Sequence, residues 1–395
     1  MMWWSTPVTF VNARVLGGGG ALGSTLRVRR GRVDGVDVSP GRGDVVIDLE
    51  GCLLVPGLIN AHDHLELNAQ PRLKWRERYC NVREWIADFQ PRFATDPSLA
   101  VVRPDTLAAR CWVGGLKNLL AGVTTVCHHN PLHPALTGRF PVRVVRRFGF
   151  SHSLQIDGDD VARSFRRTPA DRPWIVHAAE GVDPEAQREA AVLDGRGCLA
   201  PNTVLVHGVG LTAEARTRVL EAGAGLVWCP SSNQFLFGTT ADVRAFDDAD
   251  RLALGSDSRL SGEGDLLDEL RAAHATRQLS PEGLFRCVTS GAAKLLRLRS
   301  AGRLHRGVPA DLVVIGRDST DPLETLANST RGDVRLVMTD GAPLIGEPEM
   351  APAFRASRTD AMTARVDGAP RMLARWIGWR TAGHAVKEPG LEVEA

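Results

Sequence analysis

Two histidines, His62 and His64, end an apolar run in the stretch PGLINAHDHLEL. On an extended strand, residues i and i+2 point to the same face, about 6.5 to 7 Å apart at the backbone, so two imidazoles can converge on one ion. The pair alone is weak support for a metal site, because a histidine is more often a hydrogen-bonded surface or core residue. Whether His62 and His64 bind a metal ion depends on which other residues lie close to them in the fold.

Three later apolar runs also end in a residue that can bind a metal ion or move a proton. WIVHAAE carries His177 and Glu180, TVLVHG carries His207, and LALGSDS carries Asp257. Each has a structural alternative, because a strand-end histidine can simply be hydrogen-bonded, and a carboxylate can serve the amino terminus of a helix. In a parallel α/β barrel, however, the carboxyl ends of all strands open onto one face. Four such strand ends together predict one shared site.

The elements that must position these residues change in character near residue 56. Before it, short alternating runs such as DVVIDLEGCLLV are separated by glycine-rich turns, which indicates a small β domain. After it, apolar strands alternate with amphipathic helices, which indicates βα units and a parallel sheet. β character returns in ADLVVIGR and DVRLVMTDGAPL. We therefore expect a composite β-sandwich from 1–55 and 308–350, a barrel over 56–307, and a peripheral helix with a loose end over 351–395.

The motifs PGLINAHDH, HAAE, LVHG and GSDS, with GVTTV, CPSSN and GVPADLVVI, resemble the amidohydrolase superfamily. Within it, they are similar to the branch of guanine deaminase, S-adenosylhomocysteine deaminase and triazine hydrolases. The resemblance implies a (β/α)8 barrel of the TIM type with a composite β-sandwich and a divalent metal ion at the barrel mouth. The implied ligands are His62, His64, His177 and Asp257.

The resemblance also bears on the metal and on how many ions are bound. Three imidazoles and one carboxylate suit Zn²⁺, and Fe²⁺ accepts the same set. Relatives with two metal ions commonly bridge them with a carbamylated lysine at the end of the fourth strand. None of the four lysines ends a predicted strand in that region; they are Lys74, Lys117, Lys294 and Lys387. One ion per chain is expected, with His207 contacting the bound water or substrate.

The chemistry implied by the resemblance is hydrolysis, because a divalent ion lowers the pKa of bound water towards about 7. Asp257 would accept the proton of that water, and Glu180 would pass a proton to a ring or amidine nitrogen. His207 would stabilise the developing oxyanion. These roles favour a deaminase of a small nitrogen-rich or heterocyclic compound. Hydrolysis of an amide, cyclic amide or carbon–halogen bond is the alternative, and a non-catalytic scaffold that retains the fold is a third possibility.

Loops over the barrel mouth supply the candidate substrate-binding residues. They are Glu66, Gln70, Arg72, His128, His129, Asn233, Phe235 and Arg259. Loop polarity and packing explain them equally well at this stage, and Arg259 could instead pair with Glu263 or Asp265. The third and fourth strands, PVRVVRRF and FGFSHSLQI, nearly adjoin, so the helix between them is expected to be missing and the barrel distorted there.

Composition narrows the partners. The chain has 395 residues, 43% of them hydrophobic, and 48 basic against 46 acidic residues give a net charge of +2, which argues against nucleic acid or a membrane surface as a partner. Seven scattered cysteines without a CxxC pair favour reduced thiols in a cytoplasm. No secretory leader and no run of about 18 apolar residues is evident. The expected partners are a small-molecule substrate and, in a homodimer, a second copy of the chain.

Overall fold

The computed structural model describes residues 6–17, 20–93, 95, 96, 99, 106–316 and 321–394. The remaining parts of the expected domains, including residues 1–5 of the sandwich and 101–105 of the barrel, lie outside the described residues. The amino-terminal strands are β1 (Val8–Val11), β2 (Arg14–Gly17), β3 (Gly20–Gly23), β4 (Leu26–Arg29), β5 (Arg32–Val36), β6 (Val45–Asp48) and β7 (Leu53–Pro56). Four of them form a sheet in the order β5–β4–β1–β6.

The barrel strands follow directly after β7. They are β8 (Leu58–Asp63), β9 (Val123–His128), β10 (Arg143–Val144), β11 (Gly149–Ser153), β12 (Trp174–Ala178), β13 (Thr203–His207), β14 (Gly225–Trp228) and β15 (Leu252–Leu254). They pair in parallel as β10–β9–β8 and as β11–β12–β13–β14–β15. The backbone N–H of Asp257 donates to the carbonyl of His62 at 3.1 Å, which ties the end of β15 to β8.

Helices alternate with these strands, as the sequence predicts. They are α1 (Val82–Phe93), α2 (Leu107–Leu120), α3 (Leu154–Asp157), α4 (Asp160–Arg167), α5 (Pro184–Gly195), α6 (Ala213–Glu221), α7 (Pro230–Phe237), α8 (Arg244–Asp248), α9 (Leu266–Ala275), α10 (Pro281–Cys287) and α11 (Ser290–Leu295). Side-chain caps fix several starts: Thr106, Asp183 and Thr212 each accept a hydrogen bond from a backbone N–H of the first turn. None of the helices in the described ranges has the length and hydrophobicity that a membrane crossing needs.

The expected distortion between the third and fourth barrel strands is confirmed. Residues 145–148 alone separate β10 from β11, and no helix lies among them. Within the described part of the chain, ladders join β10 to β9 and β11 to β12, but none joins β10 to β11.

Both ends of the chain meet in one sheet. The later elements are β16 (Leu312–Ile315), α12 (Pro322–Asn328), β17 (Val334–Thr339), β18 (Ala342–Gly346), α13 (Ala351–Ser357), β19 (Ala361–Val366), β20 (Ala369–Ala374), α14 (Arg375–Ala382) and β21 (Leu391–Val393). The sheet order is β21–β19–β20–β18–β17–β16–β7–β2–β3, and Val55 of β7 lies opposite Val313 of β16. The predicted composite sandwich is confirmed.

The carboxyl-terminal segment differs from the peripheral helix and loose end expected over 351–395. Residues 361–374 form a β-hairpin that extends the sheet, and β21 adds another strand to it. The hairpin turns at Asp367 and Gly368, which both have positive φ angles of 51° and 81°. Exposed and buried residues alternate over the second half of β19, a period of two that fits a half-buried strand.

Candidate metal centre and active site

The carboxyl ends of the barrel strands bring the predicted ligands together. His62 lies within β8 and His64 directly after it, His177 is near the end of β12, and Asp257 follows β15. The backbone of Asp257 has a φ of 52°, and that of His207, the last residue of β13, has a φ of 75°. Non-glycine residues rarely adopt such angles, and they concentrate at functional sites.

The donor atoms have the spacing of a metal site. Nε2 of His177 lies 3.3 Å from Nε2 of His64 and 3.3 Å from Nε2 of His62. Asp257 Oδ1 lies 3.9 Å from Nε2 of both His62 and His64. Tetrahedral zinc with bonds of about 2.0 to 2.1 Å separates two nitrogen ligands by about 3.3 to 3.4 Å. These four buried side chains therefore fit a divalent ion.

Groups behind the ligands hold them in this orientation. Nδ1 of His177 donates to the carbonyl of His152 at 2.7 Å. The side-chain amide of Asn130 lies 3.2 Å from Nδ1 of His64 and 2.5 Å from Oε1 of Glu66. In both rings Nε2 points towards the centre, and His177 is fixed in the tautomer that carries its hydrogen on Nδ1. Such outer partners orient metal ligands and raise their affinity.

Asp257 is held in the same way from the other side. Its Oδ2 accepts hydrogen bonds from Ser232 Oγ at 2.8 Å and Ser261 Oγ at 2.9 Å, and its Oδ1 accepts from the backbone N–H of Ser258 at 2.7 Å. Burial acts to raise the pKa of Asp257, but the neighbouring His64 and His207 and these hydrogen bonds outweigh it, so the pKa lies below its ordinary value. The carboxylate is therefore ionised at neutral pH.

Burial sets the protonation of the histidines. It lowers the pKa of His62 and His177 well below the ordinary value, and the neighbouring imidazoles lower it further. Neutral rings with a free lone pair are the form in which histidine binds a metal ion.

Glu180 and His207 lie beside the ligands. Oε1 of Glu180 is 3.4 Å from Nε2 of His207. Burial, reinforced by the charge of Asp257, raises the pKa of Glu180 well above its ordinary value. Nδ1 of His207 is 2.9 Å from Oδ1 of Asn233, whose amide nitrogen faces Thr240 Oγ1 at 3.2 Å. His207 therefore carries its hydrogen on Nδ1 and presents a lone pair on Nε2 to the site.

The sequence and the fold of this chain resemble those of known proteins. The amidohydrolase family matches residues 169–344. The chain is 28% identical over 374 residues to the 5-methylthioadenosine/S-adenosylhomocysteine deaminase of Halobacterium salinarum, covering 80% of this chain and 86% of that protein. It is 31% identical over 188 residues to the 8-oxoguanine deaminase of Pseudomonas aeruginosa, covering 42% of each. The crystal structure of atrazine chlorohydrolase from Arthrobacter aurescens, complexed with zinc, matches with a TM-score of 0.72 and 19% identity, covering 89% of this chain and all of that one. In sequence and in fold, the chain is therefore similar to the amidohydrolase superfamily.

These comparisons confirm the predicted barrel with its composite sandwich, and they confirm the predicted class of enzyme. The protein is a metal-dependent hydrolase of carbon–nitrogen bonds other than peptide bonds. The histidine and aspartate cluster at its barrel mouth is able to hold the ion.

In the structure, the predicted substrate-binding residues make different kinds of contact. Arg72 stacks on the ring of Phe235, with the guanidinium carbon 4.1 Å from the ring centroid. Arg259 forms a bidentate ion pair with Glu388, at 2.7 and 2.6 Å, and not with the acidic residues close to it in sequence. The guanidinium of Arg259 therefore binds the carboxyl-terminal segment.

Buried polar atoms without a partner mark where a substrate could bind. Among the described residues, both amide atoms of Gln70 and Oε2 of Glu66 are buried and have no hydrogen-bond partner. Nδ1 of His128 accepts from the backbone N–H of Leu65 at 3.2 Å. Unpartnered buried polar groups are costly unless a ligand or water meets them.

The sequence interpretation overlooked a buried lysine. Lys117 on α2 donates to Asn68 Oδ1 at 2.7 Å and to the carbonyl of Asp257 at 3.0 Å, and it forms an ion pair with Asp63 Oδ2 at 3.1 Å. The signal was available, because LKNLL places two adjacent polar residues in an otherwise apolar helix.

Proposed function

We propose that this hydrolase is a deaminase that removes ammonia from a small, nitrogen-rich heterocyclic amine. The observation that carries the proposal is the buried carboxyl group of Glu180, which lies beside His207 and three residues from the proposed ligand His177, and whose pKa burial raises well above its ordinary value. A deaminase needs such a group because the ring nitrogen must gain a proton as the neighbouring carbon is attacked. The relatives that carry deaminase names support the same reaction.

In the proposed mechanism, His62, His64, His177 and Asp257 would hold one divalent ion, which supplies Lewis-acid activation of water at neutral pH. Asp257 is ionised and accepts one proton from the water. Glu180 delivers its own proton to the ring nitrogen, the proton on Asp257 passes to the leaving amine, and the proton of the added hydroxyl group returns to Glu180, so that ammonia leaves and both carboxyl groups are restored.

His207 has a different part in this sequence. Because its hydrogen is on Nδ1, it accepts a hydrogen bond on Nε2 from the water or from Glu180. It can donate towards a developing oxyanion only after Nε2 has gained a proton. Asn233 fixes this tautomer, so its role in substrate binding is indirect.

The substrate pocket includes the two groups with unpartnered atoms. Gln70 offers one donor and one acceptor, and Glu66 offers an acceptor. A nitrogen heterocycle, whose edge alternates donors and acceptors, matches such a set.

The proposal extends to the setting of the enzyme. The ion is Zn²⁺, one per chain, which the donor set favours. Location in a cytoplasm is supported by the seven cysteines, which are all free thiols. The partner is a small molecule rather than nucleic acid or a membrane, in line with the near-neutral charge, and assembly as a homodimer stays a prediction.

The test is ammonia release from a panel of aminopurines, aminopyrimidines, triazines and cyclic amidines, using protein of known metal content. Glu180→Gln should lower kcat by about 10² to 10⁴, the usual contribution of a positioned acid, and should leave the metal content unchanged. Glu185→Gln is the matched control, because Glu185 is exposed and pairs with Arg83 at the surface.

Ammonia release that is equal in Glu180→Gln and the wild type would contradict the proposal. Metal-loaded protein that releases no ammonia, and instead hydrolyses an amide, cyclic amide or carbon–halogen bond in a parallel panel, would replace it with that reaction.

A further inference from the structure

One buried imidazole at the site belongs neither to the proposed ligand set nor to the proposed chemistry. His129 directly follows β9 and is completely buried. Its Nδ1 lies 3.3 Å from Nδ1 of the ligand His62, and its Nε2 lies 3.0 Å from the carbonyl oxygen of Ser151. Its ring stacks on His177 with a centroid separation of 4.3 Å and an interplanar angle of 12°.

The positions of the hydrogens follow from these contacts. A carbonyl oxygen only accepts, so Nε2 of His129 must carry the hydrogen that Ser151 receives. The neutral ring then has its lone pair on Nδ1, towards His62. Nε2 of His62 faces His177 and Asp257, so the hydrogen of His62 is on Nδ1 and points at His129. His62 therefore donates a hydrogen bond to His129, and His129 donates one to the carbonyl oxygen of Ser151.

We infer that His129 is a positioning residue for the metal ligand His62, which it fixes in the tautomer and ring orientation that present Nε2 to the ion. This inference rests on the metal centre of the proposed function. Of the other two histidine ligands, His177 donates from the same atom to a backbone carbonyl, whereas Nδ1 of His64 faces the amide nitrogen of Asn130. The usual partner of a ligating histidine is a carboxylate, a carbonyl or water, and here a neutral imidazole takes that place.

The competing interpretation is that His129 binds an ion itself. Donor atoms of His62, His129 and His177 all lie within 4.8 Å of one another. The contact with His62 argues against it, because Nδ1 of His129 faces Nδ1 of His62, whereas the proposed ligand atoms of His62 and His177 are Nε2. The bond from Nε2 to Ser151 also removes one of the two nitrogens from such a role.

The experiment compares three variants with the wild type as purified full-length protein. Zinc dissociation constants are measured by competition with a chromogenic chelator, and the visible absorption of the Co²⁺-substituted protein reports the ligand field. His129→Leu removes the acceptor. His129→Asn keeps one, because its Oδ1 can accept from His62. Phe150→Leu is the packing control. The Phe150 ring lies edge-on to His129 with a centroid separation of 5.5 Å, and it takes no part in the hydrogen bonds that join His62, His129 and Ser151.

Loss of an outer partner typically weakens metal affinity by about 10- to 100-fold. We expect that loss, and a shifted Co²⁺ spectrum, in His129→Leu, with recovery to within about threefold in His129→Asn and no shift in Phe150→Leu. The melting temperatures of the metal-free proteins show whether a variant has simply lost its fold, and His129→Asn then decides the question.

Three results would overturn the inference. Zinc affinity in His129→Leu within threefold of the wild type would show that His129 does not position His62. Equal losses in the Leu, Asn and Phe150 variants would show a packing effect only. Two ions per wild-type chain that fall to one in His129→Leu would make His129 a ligand. A wild-type protein that binds no metal would end the proposed function as well, whereas tight metal binding and ammonia release in every variant would end this inference alone.

Discussion

At the scale of single residues, the site depends on which nitrogen each histidine turns towards the centre. Nδ1 of His62, His64 and His177 is engaged behind the ring, by an imidazole, an amide and a carbonyl respectively. Because a neutral imidazole carries one hydrogen, a ring that donates from Nδ1, as His62 and His177 do, has the lone pair of Nε2 for the ion. The spacing of the three Nε2 atoms therefore comes from groups that do not touch the ion.

A direct prediction concerns removal of one ligand. His62→Ala and Asp257→Ala should each reduce the metal content after dialysis to near zero, because the remaining donors cannot complete a four-coordinate site. Metal per chain is measured by elemental analysis. His305→Ala is the control, because His305 is exposed and its ring contacts the backbone carbonyl of Arg306. Full metal retention in both ligand variants would place the metal elsewhere in the protein.

At this scale, the residues proposed as metal ligands could be predicted from the sequence. The residues that hydrogen-bond to them could not. His62, His64 and Asp257 stand at strand ends, where a motif is visible in sequence. Ser261, in contrast, is one serine among many and acts only because it folds back onto Asp257. Arg259 shows the same limit, because its partner Glu388 lies 129 positions further along the chain.

At the scale of elements, helix α2 is tied to the barrel by a buried charge. Lys117 and Asp63 are both fully buried, and their atoms are 3.1 Å apart. Breaking a buried pair on one side costs about 3 to 5 kcal/mol, because the other charge remains without a partner. Lys117→Met should therefore lower the free energy of unfolding by about that amount, measured by urea denaturation.

The second half of this prediction is a double-mutant cycle. Asp63→Asn in the Lys117→Met background should recover part of the loss, because it removes the unpaired charge. Lys294→Met is the matched control: Lys294 pairs with Asp250 at the surface, where the effect should stay within about 0.5 kcal/mol. Equal effects at Lys117 and Lys294 would rule out a structural role for the buried pair.

The loop between β5 and β6 carries a pH-dependent contact. Hydrogen bonds from Arg27, then from Thr9 and the backbone of Gly41, lower the pKa of Asp44 to about 2 from an ordinary 3.8, although burial opposes this. A lowered folded-state pKa stabilises the protein above the unfolded-state value, and the stabilisation disappears as the pH falls from about 4 towards 2.

Asp44→Asn should therefore cost about 2.5 kcal/mol at pH 7, because the pKa falls from 3.8 to about 2 and a tenfold change in proton affinity corresponds to about 1.4 kcal/mol. The difference from the wild type should shrink at pH 3. Urea midpoints at both pH values measure it. Asp34→Asn is the comparison, because Asp34 contacts the same Arg27 but is more exposed. A cost that does not change between pH 7 and pH 3 would contradict an ionic origin.

Element prediction succeeded where the pattern is local. The missing helix between β10 and β11 is visible in sequence because too few residues separate two apolar runs. The hairpin of β19 and β20 is also marked, by the Asp367–Gly368 pair that favours a tight turn. It was overlooked because Arg365 and Arg371 interrupt the apolar pattern, and only pairing with β18 shows that the hairpin belongs to the sheet.

At the scale of the whole molecule, the two ends of the chain close one sheet, and the last segment reaches the site. Strand β16 pairs with β7, immediately before the strand that carries His62. Trp112 of α2 donates from its indole nitrogen to Thr381 of α14 at 3.1 Å. The carboxyl-terminal segment is therefore packed against the barrel as well as against the sandwich.

Glu388 makes this connection testable. Its carboxylate is fully buried and binds Arg259, two residues after Asp257, and also Arg331 at 3.1 Å, just before β17. Glu388→Gln would leave two guanidiniums facing a neutral amide, so we expect a loss of about 3 to 5 kcal/mol in the free energy of unfolding. Glu392→Gln is the control, because Glu392 is exposed on β21. Urea denaturation followed by tryptophan fluorescence measures both variants. A Glu388→Gln protein as stable as the control would mean that the carboxyl-terminal segment only covers the barrel. The expected loss would mean that this segment holds the loop of Asp257 in place across the whole molecule.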